Sequence, residues 1–121
     1  MPKYVDGFLI PVKKDKLEEY KKMAKLGKKV WMKYGALDYK ECVQDDLMVG
    51  GAASLFPRAA KAKADEVVVF AFIVYKSRAH RDQVNAKVMK DPSMQEAPDI
   101  NAMPFDMKRM AVGGFSVMVD V

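Results

Sequence analysis

The chain has 121 residues, 50% of them hydrophobic and 31% charged, with a net charge of +5 and a pI near 9.3. That size and balance fit one domain, 1–121, with a single core, and no apolar run approaches the roughly 20 residues of a bilayer-spanning helix, so no membrane partner is expected. One cysteine, Cys42, and one histidine, His80, leave no intrachain disulfide and no Cys/His zinc centre.

Tyr4 to Val12 reads as a first strand, with Pro11 near its end. Asp15 is placed as an N-cap, with Glu18 three residues on as in a capping box. The helix that follows runs to about Tyr34. Leu17, Tyr20, Ala24, Gly27, Trp31 and Tyr34 form its apolar stripe, Gly27 allows a close approach, and Gly35 stands just past the end. Leu37 to Gln44 alternates as a half-exposed strand. About 20 residues, Asp45 to Asp65, then form a long connection punctuated by Gly50, Gly51 and Pro57, with room for a short extra strand from Ser54 to Ala60. Glu66 to Tyr75 is a strand apolar on both faces from Val67 onward: Val68, Phe70, Phe72 and Val74 on one, Val67, Val69, Ala71, Ile73 and Tyr75 on the other. Ser77 caps a second helix that ends at Asp91-Pro92. Met94 to Met103 is irregular. Arg109 to Val121 is the last strand, where Gly113-Gly114 permits a bulge or a close backbone approach.

The order β-α-β, loop, β-α-β predicts an α+β ferredoxin-like βαββαβ fold, a four-stranded antiparallel sheet with two helices on one face. The third and fourth strands carry apolar residues on the face that the helices do not reach. A second copy of the chain is the simplest cover, giving a homodimer with two-fold symmetry. The lysines of the first helix, interleaved with Asp15, Glu18 and Glu19, read as a solvated face rather than a nucleic-acid footprint. The first residues lack a signal-peptide pattern, and with a lone cysteine the expected setting is cytoplasmic.

Tyr4-Val-Asp-Gly-Phe8, Phe56-Pro-Arg-Ala-Ala-Lys-Ala-Lys63, Glu66-Val-Val-Val-Phe70, Arg81-Asp-Gln-Val-Asn85, Met89-Lys-Asp-Pro92 and above all Met103-Pro-Phe-Asp-Met-Lys-Arg-Met110 with Gly113-Gly-Phe115 resemble the YbaA-like family of small bacterial proteins over nearly the whole chain. The resemblance implies the dimeric α/β barrel architecture. Relatives by fold include cofactor-free monooxygenases, haem-degrading enzymes, lactone isomerases and stress proteins, and fold alone does not choose among them.

The residues give few chemical anchors. No phosphate-binding glycine loop is present, and no ligand-spaced cluster calls for a metal, so no cofactor is expected. His80, the one available haem ligand, reads as a surface residue. Phe70 to Tyr75 matches the back half of an RNA-recognition consensus, but Val68 and Val69 replace its basic residue and glycine, so nucleic acid is disfavoured as a partner. Charged groups on apolar strand faces remain: Glu41 beside Leu37, Tyr39 and Val43, Asp6 beside Tyr4, Phe8 and Ile10, and Arg109 beside Ala111 and Phe115. With Asn85 they are the candidate catalytic groups, Glu41 or Asp6 as proton acceptor and Arg109 and Asn85 as polarisers of an oxygen. Trp31, Tyr34, Phe70, Phe72, Met89 and Met103 are the candidate ligand-binding residues. The function expected is a homodimeric barrel binding a small apolar molecule, with cofactor-independent turnover of the monooxygenase or isomerase type as one outcome. A regulatory or stress-related binding protein and an RNA-binding module are the alternatives.

Overall fold

The computed structural model describes residues 1–47, 55–95 and 103–121. Its elements are β1 (Tyr4–Lys13), a 3-10 turn (Lys14–Lys16), α1 (Leu17–Lys33), β2 (Asp38–Val43), α2 (Phe56–Ala59), β3 (Glu66–Tyr75), α3 (Arg78–Lys90), α4 (Pro92–Gln95), a second 3-10 turn (Met107–Arg109) and β4 (Ala111–Ser116). Every strand pairing is antiparallel and the order is β2-β3-β1-β4, the ferredoxin-like arrangement expected from the sequence. The doubly apolar β3 takes an inner place, paired with β1 on one edge and β2 on the other.

One face of the sheet meets the helices. Ile10, Val12 and Val69 pack with Tyr20 and Ala24 of α1, and Ile73 and Tyr75 pack with Val30 of α1 and Val84 and Val88 of α3. The opposite face is partly covered. Ala60, just after α2, and Val68 are buried, while Phe70 remains 46% and Phe115 62% exposed. Gly35 adopts φ +110° just past α1, and the Ser77 side chain accepts the His80 N–H at 3.1 Å to cap α3, both as the sequence predicts.

Four boundaries differ from expectation. β1 runs through Pro11 to Lys13, because its pairing with β4 stops at Leu9 and a residue without an N–H breaks no bond to β4 there. Asp15 lies inside the first 3-10 turn, and α1 starts after Lys16 without a side-chain cap. The expected extra strand of 54–60 is, in its described part, the helical turn of α2. The last strand spans six residues. Asp106 accepts the Lys108 N–H at 3.0 Å, turning Arg109 into a 3-10 turn instead of the strand. Beyond Ser116, opposite Tyr4 near the start of β1, one further bond joins Val117 N–H to the Lys3 carbonyl. Gly50 and Gly51 and most of the irregular stretch 94–103 lie outside the described residues.

Candidate functional site

Glu41 points from β2 toward α1, on the same side of its strand as Tyr39. Tyr20, on the buried stripe of α1, donates its hydroxyl to Glu41 Oε1 at 2.6 Å, and Tyr39 donates its own to Oε2 at 2.9 Å. Burial, reinforced by the adjacent carboxylate, pushes both phenols well above the ordinary tyrosine range. Both therefore remain protonated donors near neutral pH, and among the described residues no cation pairs with the carboxylate. The three residues edge a cavity of about 310 Å³ between α1 and the sheet. Its other walls are mostly apolar: Phe8 and Ile10 of β1, Ala71 and Ile73 of β3, Trp31, and a run of methionines that includes Met23, Met94, Met103 and Met110.

A second polar group lies toward β4. Asn85 Oδ1 accepts the Trp31 indole N–H at 3.0 Å and the Tyr75 hydroxyl at 3.2 Å. Buried Asp6 accepts from Arg81 at 3.0 Å, and the Arg81 guanidinium lies 5.0 Å above the Tyr4 ring. Asp6, Arg81, Tyr75 and Asn85 border a separate cavity of about 320 Å³, which shares Phe8, Trp31 and Ile73 with the first. The sequence-predicted residues thus divide: Glu41 stands at one end of the interior, Asp6 and Asn85 at the other, with Trp31 between.

Arg109 joins neither group. Its guanidinium makes a two-pronged contact with buried Glu66, at 2.6 and 2.7 Å, and donates to the Lys61 carbonyl at 2.5 Å. This contact holds Glu66 down at about 2. Tyr34 donates to buried Asp91 at 2.7 Å, beside Lys33 at 3.2 Å and the Ser93 hydroxyl. The Ser93 and Tyr34 hydroxyls lead the causes that hold Asp91 well below the usual carboxylate range. Phe72 borders the main cavity, but strand alternation sets its side chain with Phe70 on the opposite sheet face, the two rings tilted with centroids 6.2 Å apart. Met89 is exposed on α3 and Met103 lines the cavity. His80 accepts the Lys76 N–H through Nδ1 at 3.0 Å. Among the described residues no group of His, Cys, Asp and Glu is arranged to hold a metal ion, and no helix is long and apolar enough to cross a membrane.

Sequence reasoning missed Tyr20, Tyr39 and Phe105 as parts of the site. Phe105 meets Tyr20 edge-on with ring centroids 5.6 Å apart. Tyr39 carried a usable signal, since strand alternation alone sets it on Glu41's side.

Fold and interior together define a ferredoxin-like α+β protein with a ligand-sized space between helices and sheet. The chain belongs to the family described as "Protein of unknown function (DUF1428)", matched over residues 3–107. It is 42% identical over 118 residues to "Uncharacterized protein YbaA" of Escherichia coli (strain K12), covering 98% of each chain, and equally to that of Shigella flexneri. Among solved structures it is similar to a dimeric ferredoxin-like protein from an uncultured marine organism, with TM-score 0.60 and 14% identity over 100% of both chains. At that identity the likeness shows the fold alone.

Proposed function

We propose that this chain is a cytoplasmic, homodimeric binding protein that takes a small, largely apolar molecule into the cavity beneath α1. The observation that carries the reading is Glu41, a carboxylate held by two phenols at the edge of a mostly apolar space. Apolar cavities of this size with a few fixed polar groups are the usual form of small-molecule sites. The grip also favours a second reading. A carboxylate oriented by two donors can accept a proton from a bound molecule, which makes the cavity a cofactor-independent active site with Glu41 as base.

The neutral fluorophore N-phenyl-1-naphthylamine tests the binding reading. One saturable site per protomer is expected. Leu26→Trp, placed at an exposed cavity-lining position, is expected to weaken binding by at least about tenfold, while Phe115→Lys, on the opposite sheet face, leaves it intact. Unsaturable binding, or binding indifferent to Leu26→Trp, overturns the proposal. Once a ligand is known, turnover that Glu41→Gln abolishes while binding persists selects the enzymatic reading.

A further inference from the structure

We propose that the ligand of this cavity is an amphipathic anion, its apolar body inside and its charged head held at the mouth by Lys21, Lys25 and Lys28. The inference rests on the cavity reading above and adds the chemical class of the ligand. The three lysines recur at i, i+4 and i+7 on α1, so they stand in one row. That row lines a groove of about 350 Å³ between α1 and β2, which shares Tyr20, Ala24, Tyr39 and Glu41 with the interior cavity. Groove and cavity therefore meet at the phenol-gripped carboxylate, charged on the outer side and apolar on the inner.

None of the three ammonium groups has an ion-pair partner among the described residues. Lys16 pairs with Glu19, Lys33 with Asp91 and Lys40 with Asp38. Like charges at this spacing repel one another along a helix, and a bound anion relieves that repulsion where a neutral head gains nothing and a cation adds to it. Two carboxylates border the same groove. Glu18 stands alone against the row, and both oxygens of Glu41 already accept phenol hydrogens. The head therefore lies outward of Glu41, at the lysines, while Ala24 and the rings of Tyr20 and Tyr39, which line both groove and cavity, give the body its path inward.

Three eight-carbon probes with different heads separate the alternatives: octanoate, 1-octanol and octylammonium, titrated calorimetrically at low salt near neutral pH. Octanoate is expected to bind about tenfold more tightly than octanol, and octylammonium weakest. In the triple variant Lys21→Gln, Lys25→Gln, Lys28→Gln the octanoate advantage is expected to fall within about twofold while octanol is unchanged, and added salt shrinks it in the native chain. A control, Lys22→Gln with Lys29→Gln, removes charge from the same helix away from the groove and is expected to keep the preference. Octanol binding as tightly as octanoate, an advantage that survives the triple variant, or one equally lost in the control overturns the inference. If octanol binds, is displaced by Leu26→Trp and shows no head preference, only this inference fails. If none of the three binds while N-phenyl-1-naphthylamine does, this inference alone fails; if neither they nor the naphthylamine bind, the cavity reading fails and takes this one with it.

Discussion

A Cβ built on Gly27 would stand 2.8 Å from the Tyr39 hydroxyl oxygen and 3.6 Å from Cζ of the same ring. The first distance is too short for any real contact and the second is ordinary packing, so the hydroxyl alone forbids a methyl there. Gly27→Ala has two opposed effects. It gains about 1 kcal/mol of helix propensity, and it drives the Tyr39 hydroxyl away from Glu41, a bond to a charged group worth about 1.5–3 kcal/mol. The expected net result is a loss of about 1 kcal/mol in denaturant unfolding. In a Tyr39→Phe background the clash is absent, and the same Gly27→Ala change is expected to stabilise by up to about 1 kcal/mol. Equal effects in both backgrounds would show that the glycine serves something other than the Tyr39–Glu41 bond. Helical spacing makes Gly27 legible as a point of close approach. It cannot say what approaches, because Tyr39 comes from a different element whose docking is set by the whole sheet. The same holds for Glu41: alternation places it on the correct strand face, and its two phenol partners come into view only once α1 is laid on β2.

The segment 103–110 shows where pattern reading fails at the level of elements. Arg109 alternates correctly with Ala111 and Phe115, so a strand beginning at Arg109 is the natural reading. Asp106 overrides that alternation by capping the turn Met107–Arg109, and the arginine swings onto Glu66 at the start of β3. The result is a clasp: one ion pair ties the approach to β4 to β3 and, through the Lys61 carbonyl, to the chain after α2. Glu66 titrates near 2 in the folded protein, below its ordinary value of 4.5, chiefly because of the Arg109 hydrogen bonds. A depressed carboxylate gives stability that is present above the unfolded pKa and disappears as pH falls through the folded one. Acid unfolding is therefore expected to draw on this pair between about pH 4.5 and about pH 2. Glu66→Gln is expected to cost about 2 kcal/mol at neutral pH, less than breaking a fully buried pair because Arg109 keeps some access to water. It is also expected to flatten the stability profile over that acid range. A variant that keeps the native acid limb would assign the limb to other carboxylates, Asp91 first among them.

For the whole molecule, the sheet face away from the helices decides whether the chain acts alone. Two ten-residue and two six-residue strands, at a rise of about 3.3 Å and a spacing of about 4.8 Å, present roughly 500 Å² in projection. A stable interface buries about 800 Å² per partner, so the sheet alone falls short and a dimer needs surface from beyond it. Two sources are in place. Met118 and Val119, just past β4, are almost wholly exposed, and Phe56 of α2 sets its ring edge-on to Phe70 at 6.5 Å, extending the apolar patch. Phe115, on the edge strand β4, is the exposed aromatic of this half of the face, its ring 3.5 Å from where side chains on Gly7 and Gly113 would begin. Those two glycines, paired across β1 and β4, leave the flat bed on which the ring rests. The double-sided hydrophobicity of β3 announces this surface in the sequence, while its extension by α2 and the tail does not follow from any strand pattern. Sedimentation equilibrium is expected to give twice the 13.6 kDa chain mass at micromolar concentration. Phe115→Lys is expected to return the single-chain mass without disturbing the core beneath the helices, because the ring is already 62% exposed in the protomer. Met118→Lys is expected to weaken association more mildly. The melting temperature of the native chain is expected to rise with protein concentration and that of Phe115→Lys to stay constant, since only an associating fold is stabilised by mass action. A native chain that sediments as one protomer throughout, with a concentration-independent melt, would mean that this face is left for some other partner.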